Sequence, residues 1–485
     1  MSRSNRPWSG RRLHFVGVGG AGMSGYARAA HALGAEVTGS DGAQSPYAER
    51  LKADGVLEVK IGHDAGGVPA GEGVEVIYSS AVPAENPERE AARERGLPER
   101  PRAELLAEFT TMKRTIAVAG THGKTTTASM LVHALRAAGL EPGWLVGAPV
   151  GSGLANAEWS EGEWLVVEAD ESDRSMLSLK VEVAVLTNVE LDHHASFGSL
   201  AELEEAFRAF LRHAEGAIVV WDRPELLALA VAAVVRGGDR EEPAVEDARG
   251  EDRAPALGGE AGADADGGVE VIPYDVSDPL LEAGGSRFQW HGHEVTLGVP
   301  GAHNALNATA ALEAARLAGA GASGAIAGLA GFTGAGRRFQ RLGETRGGAT
   351  VYDDYAHHPT EVAATLRAAR TLEGDGRLVA VFQPHLFSRT ALLTREFGVA
   401  LALADVVAVL DVYPARERGE DHPGVSGLLI AEAAADAAGG KPVYWLPSFT
   451  EAESVLKGVL DDGDVCLVMG AGDVDGLARR LVEVR

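Results

Sequence analysis

The chain predicts an α/β fold with largely parallel sheets, and three observations predict it. Short apolar strands alternate with amphipathic helices along the 485 residues. Two strand–helix junctions are glycine loops, at 17–22 (GVGGAG) and at 120–127 (GTHGKTTT). Acidic and histidine-containing turns follow further strands, where the carboxyl ends of a parallel sheet hold their sites.

A chain of this length divides into two to four domains, each able to bury its own core. Its 24% charged and 45% hydrophobic residues are ordinary for a soluble globular protein. No apolar run approaches the ~18 residues of a membrane helix. Residues 1–12 are polar and basic, without the apolar centre of a signal peptide, so a cytoplasmic location is expected. The net charge of −26, with no offsetting basic patch, argues against a nucleic-acid partner. Residues 239–266 carry ten acidic and three basic residues and almost no large apolar ones. The stretch from about 237 to 269 is therefore expected to be a disordered insertion. Cys466 is the single cysteine, set in an apolar strand pattern that predicts a buried core thiol.

In the first block, 13–16 reads as a strand, 17–22 as a glycine loop and 24–33 as a helix. Further strands are expected at 36–38 and 74–78. The second block opens with strand 115–119 and helix 124–138, where Met130, Leu131, Ala134, Leu135 and Ala138 share one face. Its other strands are 164–168, 183–187 and 217–221. Segments 287–290 and 294–297 flank His291-Gly292-His293 as a hairpin. A helix follows over 304–320, and the Gly- and Ala-rich segment 319–336 reads as a linker. The third block has strands at 351–353, 378–382, 406–410, 443–446 and 465–469.

The loop at 120–127 carries the sharpest signal. Backbone N–H groups and a helix N-terminus there face an anion, Lys124 offers a point charge, and the Thr125 hydroxyl can ligate Mg²⁺. A tight turn explains the glycines but not a Lys-Thr pair at the helix start. The loop at 17–22, with Asp41 after the next strand, reads as diphosphate binding with Asp41 on a ribose. A close-packing turn explains the same glycines, and NAD is one diphosphate ligand among several. Acidic strand ends at 168–173 and 187–193 suit a hydroxyl-ligated Mg²⁺ between phosphates, or a solvated acidic loop. His303, Asn304 and Asn307 share one helical turn, where helix capping and reading of an adenine edge are about equally balanced. The pair Arg337-Arg338, in the glycine-rich linker, can reach transferring phosphate charge or stay solvated. Segments 353–359 and 383–389 place Asp, His, Tyr and Arg at two strand ends, which suits a substrate carboxylate.

Taken in order, these segments resemble the Mur ligase family of peptidoglycan synthesis. The resemblance rests on 17–24, 120–127, 168–173, 187–193, 303–307, 337–339, 353–359, 383–390, 411–417 and 469–474. It implies three domains: a Rossmann-like domain over 1–110 for a UDP-sugar, a central ATPase domain of P-loop type over 111–330, and a Rossmann-like amino-acid domain over 331–485. Gly17, Gly19, Gly20, Gly22, Met23, Ser24, Asp41 and Asn188 would hold the UDP-sugar. Gly120, Thr121, His122, Gly123, Lys124, Thr125, Thr126, His303, Asn304, Asn307 and Arg338 would hold ATP. Thr125, Glu168 and His193 would bind Mg²⁺ or Mn²⁺, and Tyr355, His357, His385 and Arg389 the amino acid. Leu386 departs from relatives that carry a second arginine there, which leaves Arg389 as the surer carboxylate anchor. A monomer or homodimer is implied.

The implied reaction joins L-alanine to the lactyl carboxylate of UDP-N-acetylmuramate. ATP forms an acyl phosphate, and the amine then displaces phosphate to give an amide. Lys124, His193, Arg338 and His357 would be the catalytic group, with His357 or a water chain taking the amine proton. The nearest rival is the ligase that recycles a murein tripeptide onto the same nucleotide sugar. An NAD-dependent oxidoreductase would leave the loop at 120–127 unexplained. A non-catalytic nucleotide-binding regulator would leave unexplained why lysine, hydroxyl, carboxylates and imidazole occur together.

Overall fold

The computed structural model describes residues 6–192, 196–235, 268–372, 374 and 376–482. The acidic stretch 237–269 lies almost wholly outside the described residues, and so does His193.

Three mostly parallel sheets form the architecture. The first has the order β3-β2-β1-β4-β5, from β1 (Arg12–Val16), β2 (Glu36–Asp41), β3 (Lys60–Ile61), β4 (Val74–Tyr78) and β5 (Glu99–Pro101). Successive strands are laid to one side of β1 and then to the other, so the glycine loop leaves β1 at a switch point. The central sheet is β12-β11-β10-β6-β9-β7-β8, with β6 (Arg114–Ala119), β7 (Gly143–Leu145), β8 (Ala157–Glu158), β9 (Trp164–Glu168), β10 (Val181–Leu186), β11 (Ala214–Trp221) and β12 (Glu270–Tyr274). Its glycine loop leaves β6 between the ends of β9 and β10. A small antiparallel sheet follows, β13 (Leu280–Glu282), β14 (Gly285–Trp290) and β15 (His293–Leu297). The two-residue turn joining β14 to β15 has φ of 45° at His291 and 78° at Gly292. Paired left-handed residues suit such a hairpin because their twist matches that of the strands.

The last sheet is β16-β17-β21-β18-β19-β20, with β16 (Gln340–Glu344), β17 (Thr350–Asp354), β18 (Leu378–Phe382), β19 (Val406–Val409), β20 (Val443–Trp445) and β21 (Val465–Met469). Only β16 runs antiparallel in it. The turns after β17, β18 and β21 therefore emerge side by side.

Two expectations need correcting. The segment 319–336 is not wholly linker, because Ala322–Ala330 is a helix. Its glycines serve close packing: a Cβ at Gly328 would lie 2.4 Å from the His133 carbonyl oxygen, and one at Gly324 2.8 Å from Ala138 Cα. The helices expected from Ser24 and Asn304 begin earlier, at Ala21 and Ala302. Their N-caps are Gly20 and Gly301, which supply no side-chain cap and so leave no starting signal of Ser, Thr, Asp or Asn.

The cores show how the domains are joined. Leu105, Leu106 and Phe109 of the helix Arg102–Thr111 lie in one continuous core with residues of the first sheet and of one face of the central sheet. The other central face is covered by helices Lys124–Ala137 and Ala302–Leu317. The last sheet has its own core on each face, built from residues beyond 338. Among the described residues the first two domains thus share an apolar core, and the third has cores of its own, with polar pairs such as Arg389–Asp192 and Thr360–Glu190 joining it to the central domain. Cys466 is buried in β21, as its apolar setting predicts. Among the described residues no helix is long and apolar enough to cross a membrane.

Candidate active site

The loop after β6 is shaped by two glycines with φ of 133° (Gly120) and 82° (Gly123). A Cβ at Gly120 would lie 2.1 Å from Thr187 Oγ1, and one at Gly123 2.7 Å from Asn307 Oδ1. Close approach on both sides therefore excludes larger residues. Asn188 clamps the loop, accepting from the His122 amide (2.8 Å) and donating to its carbonyl (3.0 Å). Asn188, expected with the UDP-sugar, thus bonds the nucleotide loop.

Lys124 Nζ is 2.9 and 2.8 Å from the two oxygens of Glu171 and 2.6 Å from the Gly120 carbonyl. Glu171 is fully buried. Sequence reasoning included it in the run 168–173 but did not single it out. Glu168, at the end of β9, accepts from the Gly147 amide at 2.7 Å and from the Thr125 hydroxyl. Burial holds its carboxyl above the usual range. Thr125 and Glu168, two of the three expected metal ligands, are thus adjacent.

Above the loop lies a cavity of about 340 Å³, lined by His122, Gly123, Thr126, His303, Asn304, Asn307 and Arg338. Seven residues expected around ATP therefore share one space, with Gly120, Thr121, Lys124 and Thr125 in the loop at its base. Trp221, Val299, Leu306 and Phe332 supply an apolar wall that the sequence did not reveal. Burial pushes His303 down to about 4, which keeps it neutral. Asn304 donates to the Pro300 carbonyl at 2.7 Å.

Arg337 and Arg338 diverge, and the structure explains which one faces the cavity. Arg337 is spent on Asp353 (3.1 Å) and on the carbonyls of Gly470 (2.8 Å) and Gly472 (3.0 Å). Arg338 lies 5.1 Å from the Tyr355 ring centre and 3.6 Å from Glu361.

His122 is held from two sides, with Nε2 3.1 Å from Glu190 and Nδ1 3.2 Å from Glu361. Both nitrogens can donate only when the ring is charged. Burial opposes that charge, but the two carboxylates outweigh it and hold the imidazole at about 9. The group is raised on folding, so its contribution to stability is complete below the ordinary value of 6.5 and lost as pH rises through about 9. The Tm advantage of wild type over His122→Gln should shrink across that window; a difference that stays flat with pH would show the ring is not charged.

Tyr355, His357, His385 and Arg389 come together at the ends of β17 and β18. Ring centres are 5.3 Å apart for Tyr355–His357 and 6.1 Å for His357–His385. Arg389 Nη1 is 3.3 Å from His385 Nδ1. Its fork, expected to await a substrate carboxylate, is turned onto Asp192 of the central domain at 2.8 and 3.1 Å, both side chains buried. Leu386 takes φ 70°, an uncommon conformation for a leucine. Burial pushes His357 down to about 3, and its Nδ1 lies 2.9 Å from the Tyr355 carbonyl, so Nε2 is left as the acceptor.

In the first domain the Asp41 carboxylate accepts from the amides of Gly19 (2.8 Å) and Ala43 (3.1 Å). Through these bonds it braces the loop of Gly17, Gly19, Gly20 and Gly22. Met23 and Ser24, expected with the UDP-sugar, are buried. The Ser24 hydroxyl lies 3.1 Å from Asn156 Nδ2, which also bonds the Ala21 carbonyl. Arg102, packed beside Gly22, donates to the central acids Asp170 and Asp173, each at 2.8 Å. A small cavity of about 90 Å³ runs from Gly22 past Arg102 to Glu168. Asn156 and Arg102 carried no local motif, so nothing in the sequence announced them.

Comparison with known proteins agrees with this layout. Residues 12–114 match the Mur ligase family catalytic domain, 118–237 the Mur ligase middle domain, and 337–472 the Mur ligase glutamate ligase domain. The chain is 43% identical to a UDP-N-acetylmuramate--L-alanine ligase of Rhodococcus jostii, covering 97% of this chain and 96% of that protein. It is 42% identical to one from Rubrobacter xylanophilus, covering 97% and 99%. The crystal structure of UDP-N-acetylmuramate-alanine ligase from Thermotoga maritima superposes with a TM-score of 0.76 at 26% identity, covering 97% of this chain and 98% of that one. A murein peptide ligase from Psychrobacter arcticus shares the fold, with a TM-score of 0.68 at 24% identity and the same coverage. With three domain matches in order and relatives similar over nearly the full length, the chain belongs to the Mur ligase family.

Proposed function

We propose that the chain is a UDP-N-acetylmuramate–L-alanine ligase, an ATP-dependent amide-forming enzyme of cytoplasmic peptidoglycan synthesis. The observation that carries this reading is the placement of Lys124 and Thr125. Their neighbours Gly123 and Thr126 line the central cavity, and the Thr125 hydroxyl bonds Glu168, which lines the small cavity reaching the glycine loop of the first domain. Full-length similarity to relatives bearing that name supports the same substrates.

The lactyl carboxylate is a poor electrophile, so its oxygen first takes the γ-phosphoryl group of ATP. Lys124 and Arg338 face the transferring charge, and the loop amides hold the phosphates. Thr125 and Glu168 pair a hydroxyl with a buried carboxylate, a donor set that fits Mg²⁺ or Mn²⁺; His193 would complete it. Such an ion supplies neutralisation of phosphate charge. The amine of L-alanine then attacks the acyl phosphate, and phosphate leaves. With its pKa near 3, His357 is a weak proton acceptor for an amine. Its Nε2 therefore suits orienting the amine by accepting a hydrogen bond, with water carrying the proton away. The Gly17 loop holds the diphosphate of the sugar nucleotide, with Arg102 beside the path toward Glu168.

Phosphate release with ATP, Mg²⁺ and UDP-N-acetylmuramate, screened across amino acids and a murein tripeptide, tests the reading. Release should depend on L-alanine and on the sugar nucleotide together. Turnover with the tripeptide but not with L-alanine would assign the recycling reaction instead.

A further inference from the structure

Glu361 lies in the first turn of the helix Pro359–Ala369, in the third domain, yet its carboxylate reaches three separate parts of the site. One oxygen meets His122 Nδ1 of the phosphate loop at 3.2 Å and Arg338 Nη1 at 3.6 Å. The other accepts from the His357 amide at 3.0 Å. The next residue, Thr360, donates to Glu190 of the central domain at 2.6 Å. The Glu361 side chain is 11% exposed and borders the nucleotide cavity. A glutamate at this distance from a helix start is ordinarily a capping residue. Here one oxygen crosses the domain boundary to His122, while Arg338 and the His357 amide belong to its own domain.

The cores make this contact consequential. Among the described residues the third domain shares no buried apolar cluster with the central domain, and polar ties cross the boundary from Glu361 to His122, from Thr360 to Glu190 and from Arg389 to Asp192. On the function proposed above, we propose that Glu361 is a positioning residue for phosphoryl transfer. It fixes His122 of the phosphate loop and Arg338 together only when the domain carrying His357 is docked. Transfer geometry is thereby made conditional on assembly of the amino-acid pocket, and ATP cannot be committed while that pocket is absent. A carboxylate is required because three donors converge on it; a glutamine would turn its NH₂ toward one of them.

Glu361→Gln in the full chain tests this, with ATP, Mg²⁺, UDP-N-acetylmuramate and L-alanine. The expected result is a kcat about 100-fold lower, as for one partner lost from a buried charge pair, with the Kd for ATP moving less than about threefold. Glu361→Asp should recover part of the loss. The double variant His122→Gln/Glu361→Gln should fall little below either single one, because both break the same contact. Should Glu361→Gln fold poorly, Thr360→Val removes a neighbouring tie at nearly constant volume and should lower kcat in the same direction. A kcat within about threefold of wild type in either variant, or additive losses in the double one, would overturn the role. If wild type itself releases no phosphate with these substrates, the functional reading fails; an active wild type beside an equally active Glu361→Gln removes only Glu361.

Discussion

Replacing Lys124 with alanine is expected to lower alanine-dependent phosphate release about a thousandfold, while UDP-N-acetylmuramate still binds. On the function proposed above, the charge lost is the one that faces the transferring phosphoryl group, while the sugar nucleotide is held from the first domain. The structure adds a second consequence. Lys124 is tied to both oxygens of Glu171, which is fully buried. Removing the lysine takes a cation from a buried carboxylate, and such a break costs about 3–5 kcal/mol. Lys124→Ala should therefore melt earlier as well as fail in turnover. The double variant Lys124→Met/Glu171→Gln should regain most of the melting temperature and none of the activity. That contrast separates chemistry from folding. If the single variant kept a tenth of the wild-type rate, Lys124 would have no part in transfer.

Arg389→Ala is expected to have the next largest effect, with the KM for alanine rising sharply and kcat falling too. Two losses combine here. The guanidinium lies beside His385, and on the function proposed above it anchors the substrate carboxylate, which the variant leaves unpaired. The same fork holds Asp192 across the domain boundary with both side chains buried. Truncating one partner of such a pair costs about 2–5 kcal/mol, or roughly 30-fold and upward in the affected step. Asp192→Asn should reproduce the fall in kcat and leave the alanine KM closer to wild type. An Arg389→Ala enzyme with unchanged alanine KM would refute the anchor, and normal kcat would show that the tie to Asp192 is dispensable.

The elements that proved legible were those with local causes. A strand, a glycine pair and a helix start specify the loop at 120–127 because backbone sterics and the helix N-terminus act over a few residues. Strands 74–78, 164–168, 378–382 and 465–469 coincide with the observed β4, β9, β18 and β21, since strands buried on both faces read as continuous apolar runs. The segment 319–336 misled because glycine reads as punctuation, whereas Gly324 and Gly328 are contact points between helices. Short strands at or next to a sheet edge, such as β3, β7 and β8, left no periodic signal in two or three residues.

The parallel α/β layers and the two glycine loops at strand–helix junctions were thus written in the chain, because each follows from spacing within a single strand–helix unit. Only the tertiary structure decided which charges meet. Arg389 closes on Asp192 across 197 residues, Lys124 on Glu171 and His122 on Glu361, and Asp41 turns inward to its own loop. Ion pairs carry no periodicity and depend on where whole domains come to rest, so no local pattern could have announced them.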